Sequence, residues 1–190
     1  MKNVSEFISL NAEQFPEKKS IMMGKNTLTS GSYPSYTFKE FDKLINQFCH
    51  KLTELGVKPQ DKVLFFVKPN LDFSAITFAL FRMGAVAIFI DPGMKREYFF
   101  EAIKEVQPDV LIGIPKVHLL RKIHSAPFSD IKLFITTGTL SLFAKSIYKN
   151  LKQSLKEFIP FEPKENELAA ILYTSGGTGK PKGVEYTHAM

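Results

Sequence analysis

Between residues 173 and 183 the chain reads YTSGGTGKPKG. Positions 174–179 carry almost no side-chain bulk: three glycines, Gly176, Gly177 and Gly179, are interspersed with three hydroxyl residues, Thr174, Ser175 and Thr178. Glycine lets backbone N–H groups approach a ligand closely, and hydroxyls add donors that can turn toward an oxyanion. Lys180 and Lys182 add positive charge, and Pro181 stiffens the exit. A compact loop this rich in donors suits the oxygens of a phosphate group. Spacing excludes two widespread phosphate loops. G-x-x-x-x-G-K-[ST] needs glycine where Thr174 stands and a hydroxyl residue where Pro181 stands, and G-x-G-x-x-G needs its third glycine at Lys182.

Such a loop needs rigid elements behind it. The apolar run LAAILY at 168–173 reads as a buried strand that feeds it. Upstream, strands are expected at 63–67, 85–90, 110–114 and 132–136. Helices are expected at 71–83, 96–106, 116–123 and 140–158. Apolar strands alternating with helices predict an α/β fold, a mostly parallel sheet flanked by helices on both faces with right-handed crossovers. Before this, a short amphipathic helix over 3–15 should turn Phe7, Leu10 and Phe15 inward and close at Pro16. Short strands are expected at 20–23 and 33–36. Thr37 and Glu40 form a capping box for a helix whose apolar face is Phe38, Phe41, Leu44, Ile45, Phe48, Leu52 and Leu55, ended by Gly56. Residues 159–167, with two prolines and four charges, read as a linker. The expected division is an N-terminal α/β subdomain over 1–165, then a strand and loop over 166–190 that open a second subdomain.

The 190 residues are 44% hydrophobic with a formal net charge of +6, enough chain for one core and too apolar for disorder. Cys49 is the only cysteine and lies on the apolar side of its helix, so no internal disulfide forms and a reducing, cytoplasmic setting is expected. No signal peptide opens the chain, and Asp72, Arg82 and Gly84 interrupt the most span-like stretch, 71–90. The positive charge suits a phosphorylated ligand, nucleic acid or an anionic membrane and selects none of them.

The stretch 173–183 closely resembles the phosphate loop of adenylate-forming (AMP-binding) enzymes, the acyl-CoA synthetase, luciferase and peptide-synthetase adenylation superfamily. Their pattern is approximately Y-T-S-G-[ST]-T-G-x-P-K-G. The one departure is Gly177, where the family usually has Ser or Thr, which removes a hydroxyl and loosens the loop. Residues 36–41 (YTFKEF) are similar to the family's early Y-T-Y-x-E-L signature. The block 56–91 is similar to a longer one, with Gln60-Asp61-Lys62-Val63, Gly84-Ala85-Val86 and Ile90-Asp91-Pro92. Asp91-Pro92-Gly93-Met94 and Gly113-Ile114-Pro115-Lys116 look most like the branch that handles long-chain acyl substrates, fatty acid–CoA ligases and the β-lactone synthetases of bacterial olefin biosynthesis among them.

The resemblance implies a ligase that activates a carboxylic acid, of long-chain acyl type, as acyl-AMP with release of diphosphate. Its cofactors would be ATP and Mg2+, with CoA as a candidate second substrate. Backbone N–H groups over 175–179 would grip the β- and γ-phosphates, Thr174, Ser175 and Thr178 would add hydroxyl contacts, and Lys182 would supply charge. Lys180 occupies the family's variable position and reads as a solvated charge. Thr187 and His188 match a common Ser/Thr-His after the loop, and His188 reads as a residue that caps or packs. His118 and His124 lack a companion ligand for a metal. The family's adenine pocket, magnesium ligand and catalytic lysine lie downstream of such a loop. The chain is therefore expected to be an N-terminal fragment with no catalytic residue of its own, inactive alone and prone to self-association. The alternative is a non-catalytic nucleotide-binding or interaction module. A nucleic-acid binder finds no clustered basic–aromatic motif. Lys145, Lys149, Lys152 and Lys156, spaced 4, 3 and 4, form one stripe on the helix expected over 140–158. A solvated face is the favoured reading of that stripe, and a membrane-surface helix the sharper one.

Overall fold

A computed structural model of the protein describes residues 3–23, 33–139, 143–151, 157–174 and 181–190. Helix α1 (Glu6–Gln14) is followed by the antiparallel pair β1 (Lys19–Met22) and β2 (Ser35–Thr37). Helix α2 (Phe38–Leu55) starts on the expected capping box: Thr37 Oγ1 accepts the Glu40 N–H at 3.2 Å, and Glu40 Oε2 accepts the Thr37 N–H at 2.9 Å. It ends on Gly56, whose φ of 107° favours glycine. The alternation follows: β3 (Lys62–Phe66), α3 (Leu71–Met83), β4 (Val86–Ile90), α4 (Arg96–Val106), β5 (Val110–Gly113), α5 (Pro115–Ile123), a 3₁₀ turn (Ala126–Phe128), β6 (Leu133–Thr136), β7 (Lys145–Ser146), β8 (Leu168–Thr174) and β9 (Lys182–Thr187).

The described strands β3 to β9 form one sheet in the order β7-β6-β5-β3-β4-β8-β9. Every pair is parallel except β8–β9. Side chains alternate across the sheet, as strand geometry requires. Val63, Phe65, Ala87, Val110, Ile112, Ile135 and Ala170 meet α2 and α3 on one face. Leu64, Phe66, Val86, Ile88, Leu111, Ile171 and Tyr173 meet α4 and the 3₁₀ turn on the other. Burial on both faces explains why the central strands read as unbroken apolar runs.

A buried polar network joins the three helices on the first face. Arg82 on α3 is 1% exposed. Its Nη2 donates to Asp42 Oδ1 at 2.6 Å and to Ser9 Oγ at 2.9 Å, and its Nη1 donates to Asn46 Oδ1 at 2.7 Å. Ser9 Oγ also donates to Asp42 Oδ1 at 2.9 Å. This network sets the facing of α1. The inward face of α1 carries Ile8 and Ser9, whereas Phe7, Leu10 and Phe15, expected inside, are about half exposed. A buried guanidinium needs hydrogen-bonding neighbours, so a serine takes a place that hydrophobicity alone would give to phenylalanine.

The helix expected over 140–158 is not formed in its described part. Residues 145–146 add a short edge strand beside β6, and Ile147 N–H donates to Thr136 O at 3.0 Å. Tyr148 Oη donates to Asp72 Oδ2 at 2.8 Å, and Lys145 Nζ donates to Leu55 O at 3.3 Å. Burial of Ile147 and these tertiary bonds outweigh a helical spacing that carries little propensity by itself. Lys145 and Lys149 therefore do not share a helix stripe, and Lys152 and Lys156 lie outside the described residues. The membrane-surface reading of that stripe loses its basis. Among the described residues, no helix is long and apolar enough to cross a membrane.

Candidate functional site

The glycine-rich stretch leaves the sheet at the carboxyl end of β8. This strand lies between β4, which it pairs in parallel with Ile90 opposite Tyr173, and the antiparallel β9. Parallel strands all present their carboxyl ends on one side, where open α/β sheets hold ligands. The turn at Asp91 shares that side. Asp91 Oδ1 accepts the Gly93 N–H at 2.8 Å, which tightens the chain beside the mouth of the loop. Ile90 and Tyr173, which begin two separate stretches that carried the family resemblance, are thus neighbours in space.

The β8–β9 ladder fixes which residues face each other at that mouth. Thr174 is opposite Lys182, and Tyr173 is opposite Gly183. Thr174 and Lys182 are both exposed, while Pro181 between the loop and β9 is buried. Of the residues expected to hold phosphate, the structure brings Thr174 and Lys182 together. Ser175, Gly176, Gly177, Thr178 and Gly179 lie outside the described residues, as does Lys180. Tyr173 is buried on the α4 face of the sheet. Burial, followed by the charges of Glu105 and Glu185, pushes its hydroxyl up to about 12, so it stays protonated at neutral pH.

Sequence reasoning did not anticipate β9. Its signal was present in Lys182-Gly183-Val184-Glu185-Tyr186-Thr187, where β-favouring side chains alternate with Gly183 and Glu185. The strand closes on His188, which is buried. The His188 N–H donates to Glu167 O at 3.2 Å, and its ring meets Phe81 edge-on at a centroid distance of 6.5 Å. Burial holds this imidazole below its usual value despite the raising effect of Glu167. The expectation that His188 caps or packs agrees with this setting.

The other candidates are accounted for by packing. The Cys49 thiol donates to Ala79 O at 3.5 Å, and burial, the largest cause, pushes it up to about 12, far from a reactive thiolate. His118 is buried with Nε2 3.0 Å from Ile135 O. Arg121 Nε donates to His118 Nδ1 at 3.4 Å, so Nε2 carries the proton and donates to that carbonyl. The His124 ring leans on Phe100 at 5.4 Å. Among the described residues, no group of three or more His, Cys, Asp or Glu side chains could hold a metal ion.

Comparison with known proteins agrees with the residues and the topology. The profile of the family described as AMP-binding enzyme matches residues 8–190. The chain is 31% identical over 153 residues to an olefin β-lactone synthetase of Stenotrophomonas maltophilia, covering 80% of this chain and 28% of that protein. It is 29% identical over 187 residues to tyrocidine synthase 3 of Brevibacillus parabrevis, covering 98% of this chain and 2% of that one. Its fold superposes on a long-chain-fatty-acid-CoA ligase from Archaeoglobus fulgidus with a TM-score of 0.76 at 21% identity, covering 99% of this chain and 37% of that one. A luciferase-like enzyme from the mealworm Zophobas morio gives a TM-score of 0.79 at 20% identity, covering 98% and 43%. The chain thus spans less than half the length of each of these four proteins.

Proposed function

The chain belongs to the AMP-binding enzyme family, and from this we propose that it supplies the phosphate-holding part of an ATP-dependent ligase that activates a carboxylic acid as an acyl adenylate. In that reaction a carboxylate oxygen attacks the α-phosphorus of ATP, the bond to the β-phosphate oxygen breaks, and diphosphate leaves with the electron pair. The leaving group gains charge as the bond breaks, so donors and cations around the β- and γ-phosphates lower the barrier. The backbone N–H groups of Ser175, Gly176, Gly177, Thr178 and Gly179 take those oxygens, with the hydroxyls of Thr174, Ser175 and Thr178 beside them. Lys182 supplies a positive charge from the facing strand.

One observation carries this reading. Thr174 and Lys182 are cross-strand partners at the carboxyl end of β8, so a hydroxyl and an ammonium face each other across the ladder at the end of the sheet where such folds hold ligands. The reading assigns Mg2+ no ligand within the chain. We infer a long-chain acyl acid as the carboxylate. Asp91-Pro92-Gly93-Met94, Gly113-Ile114-Pro115-Lys116 and the 31% identity to the olefin β-lactone synthetase support that choice. CoA is the candidate acceptor for the acyl group in a second step.

The test is ATP–diphosphate exchange by the full-length protein, measured with and without acids of increasing chain length. Exchange that requires the acid, and favours long chains, is expected. Exchange without any acid, or release of the γ-phosphate as the only product, would remove the assignment.

A further inference from the structure

Lys182 begins a strand with little support of its own. β9 is the edge of the sheet, and β8 is its one strand partner among the described residues. Residues 182–186 are exposed. The far end of β9 is anchored quite differently, because His188 is only 5% exposed. Its backbone closes the hairpin on Glu167 O, just beyond the Leu168–Thr187 pair. Its ring is held by the start of the chain, where the Val4 N–H donates to Nδ1 at 3.4 Å.

The segment that makes this contact is itself fastened to the body. Asn3 is fully buried, and its Nδ2 donates to Phe81 O at 2.9 Å and to Phe161 O at 3.0 Å. Its Oδ1 accepts the Ser5 N–H at 2.9 Å. Residues 3–5 thus form a strap pinned to the end of α3 and to the linker, and His188 is the point at which β9 meets it. A backbone N–H can only donate, so Nδ1 is the acceptor and the ring proton sits on Nε2. That nitrogen is buried without a partner among the described residues. A buried donor in that state is costly. A phenylalanine would fill the same place against Phe81 without this cost, but it could not accept from Val4.

We propose that His188 is a positioning residue, which through β9 fixes where Lys182 stands against the phosphates of ATP, with the strap at residues 3–5 as its anchor. The inference rests on the assignment of Lys182 to those phosphates. His188 touches no substrate in this scheme. It restrains the far end of the strand whose near end carries the charge.

The test uses the full-length protein with His188→Phe, which keeps a ring against Phe81 but offers Val4 no acceptor, and His188→Asn, which restores a carbonyl oxygen. In acid-dependent ATP–diphosphate exchange, His188→Phe should raise the KM for ATP about tenfold, the effect of one well-placed hydrogen bond, and leave the KM for the acid unchanged. His188→Asn should recover most of that loss. Hydrogen exchange over 182–187 should be faster in His188→Phe without nucleotide. Asn3→Ala, which loosens the strap and leaves His188 in place, should act in the same direction and serves if His188→Phe does not fold. An unchanged KM for ATP in these variants, or a fall in kcat alone, overturns the inference. If the wild type shows no acid-dependent exchange, the functional assignment has failed instead. Hydrogen exchange then decides the clasp alone: faster exchange over 182–187 in the variants supports it, and equal exchange sinks it.

Discussion

The ring of Tyr173 lies across Gly183 on the neighbouring strand, so close that a Cβ on Gly183 would stand 3.1 Å from Tyr173 Cζ and 3.1 Å from Ile171 Cγ2. The two residues are cross-strand partners one step inside the Thr174–Lys182 pair. The glycine is therefore matched to the tyrosine, and together they set how β8 and β9 meet at the mouth of the loop. Both Tyr173 and Ile171 are buried and have little room to withdraw.

Gly183→Ala should overpack this point. A loss of about 1 kcal/mol is expected, the low end for overpacking, because Gly183 is itself exposed and the added methyl crowds only the inner side. Tyr173→Leu with Gly183→Ala should recover part of it, because the shorter side chain vacates the space. Denaturant midpoints of the single and double variants check this. A Gly183→Ala protein as stable as the wild type would show that the ring is free to move.

Lys182 and Lys180 should separate in function. Lys182 faces Thr174 across the ladder, while Lys180 takes the position that varies in the family pattern. Lys182→Ala is expected to cost roughly 1.5–3 kcal/mol of transition-state stabilisation, or about ten- to a hundredfold in ATP–diphosphate exchange, as for one charge-assisted contact. Lys180→Ala should cost much less. Equal losses would place the charge elsewhere in the loop.

The Arg82–Asp42 pair should be strongly asymmetric to mutation. Asp42→Ala leaves a buried guanidinium without its carboxylate and should destabilise by about 3–5 kcal/mol. Arg82→Met with Asp42→Ala removes both charges, leaves no buried ion unpaired, and should be more stable than Asp42→Ala alone. Urea unfolding of the wild type and the two variants decides this, and a double variant no more stable than Asp42→Ala would refute it.

Acidification should destabilise the fold through His118. Burial is the main cause that holds its imidazole below the usual value, and both ring nitrogens are engaged only in the neutral form. The unfolded chain takes up a proton near pH 6.5 and the folded chain only at lower pH. The contribution is therefore complete above about pH 6.5 and is lost as the pH falls from there through the lower folded value. His188 is shifted the same way, chiefly by burial. His118→Gln should flatten part of the fall in melting temperature between roughly pH 7 and 5. An unchanged slope would mean that His118 takes up its proton at the same pH in the folded and the unfolded chain.

Much of the architecture was legible from local chemistry. The capping box at Thr37 and Glu40, the αL stop at Gly56, and helices α3 and α4 were all readable because short-range rules govern them. So was the α/β class, since buried parallel strands leave unbroken apolar runs and amphipathic helices leave a 3.6-residue period. The composition of residues 174–182 pointed to phosphate because donors and close approach are properties of residue type. Tertiary structure decided the rest. Phe143, Ile147 and Leu151 keep a helical spacing, yet Ile147 is buried in an edge segment held by Thr136, Asp72 and Leu55, contacts no local pattern encodes. The inward face of α1 answered to Arg82, 73 positions from Ser9. The loop's outgoing strand took its place from Tyr173 over Gly183 and from His188 against Val4, 184 positions away. Periodicity reports whether a side chain prefers to leave water. Which partner it meets depends on long-range packing and on the few buried polar groups that must each find a hydrogen bond, and only the folded chain settles that.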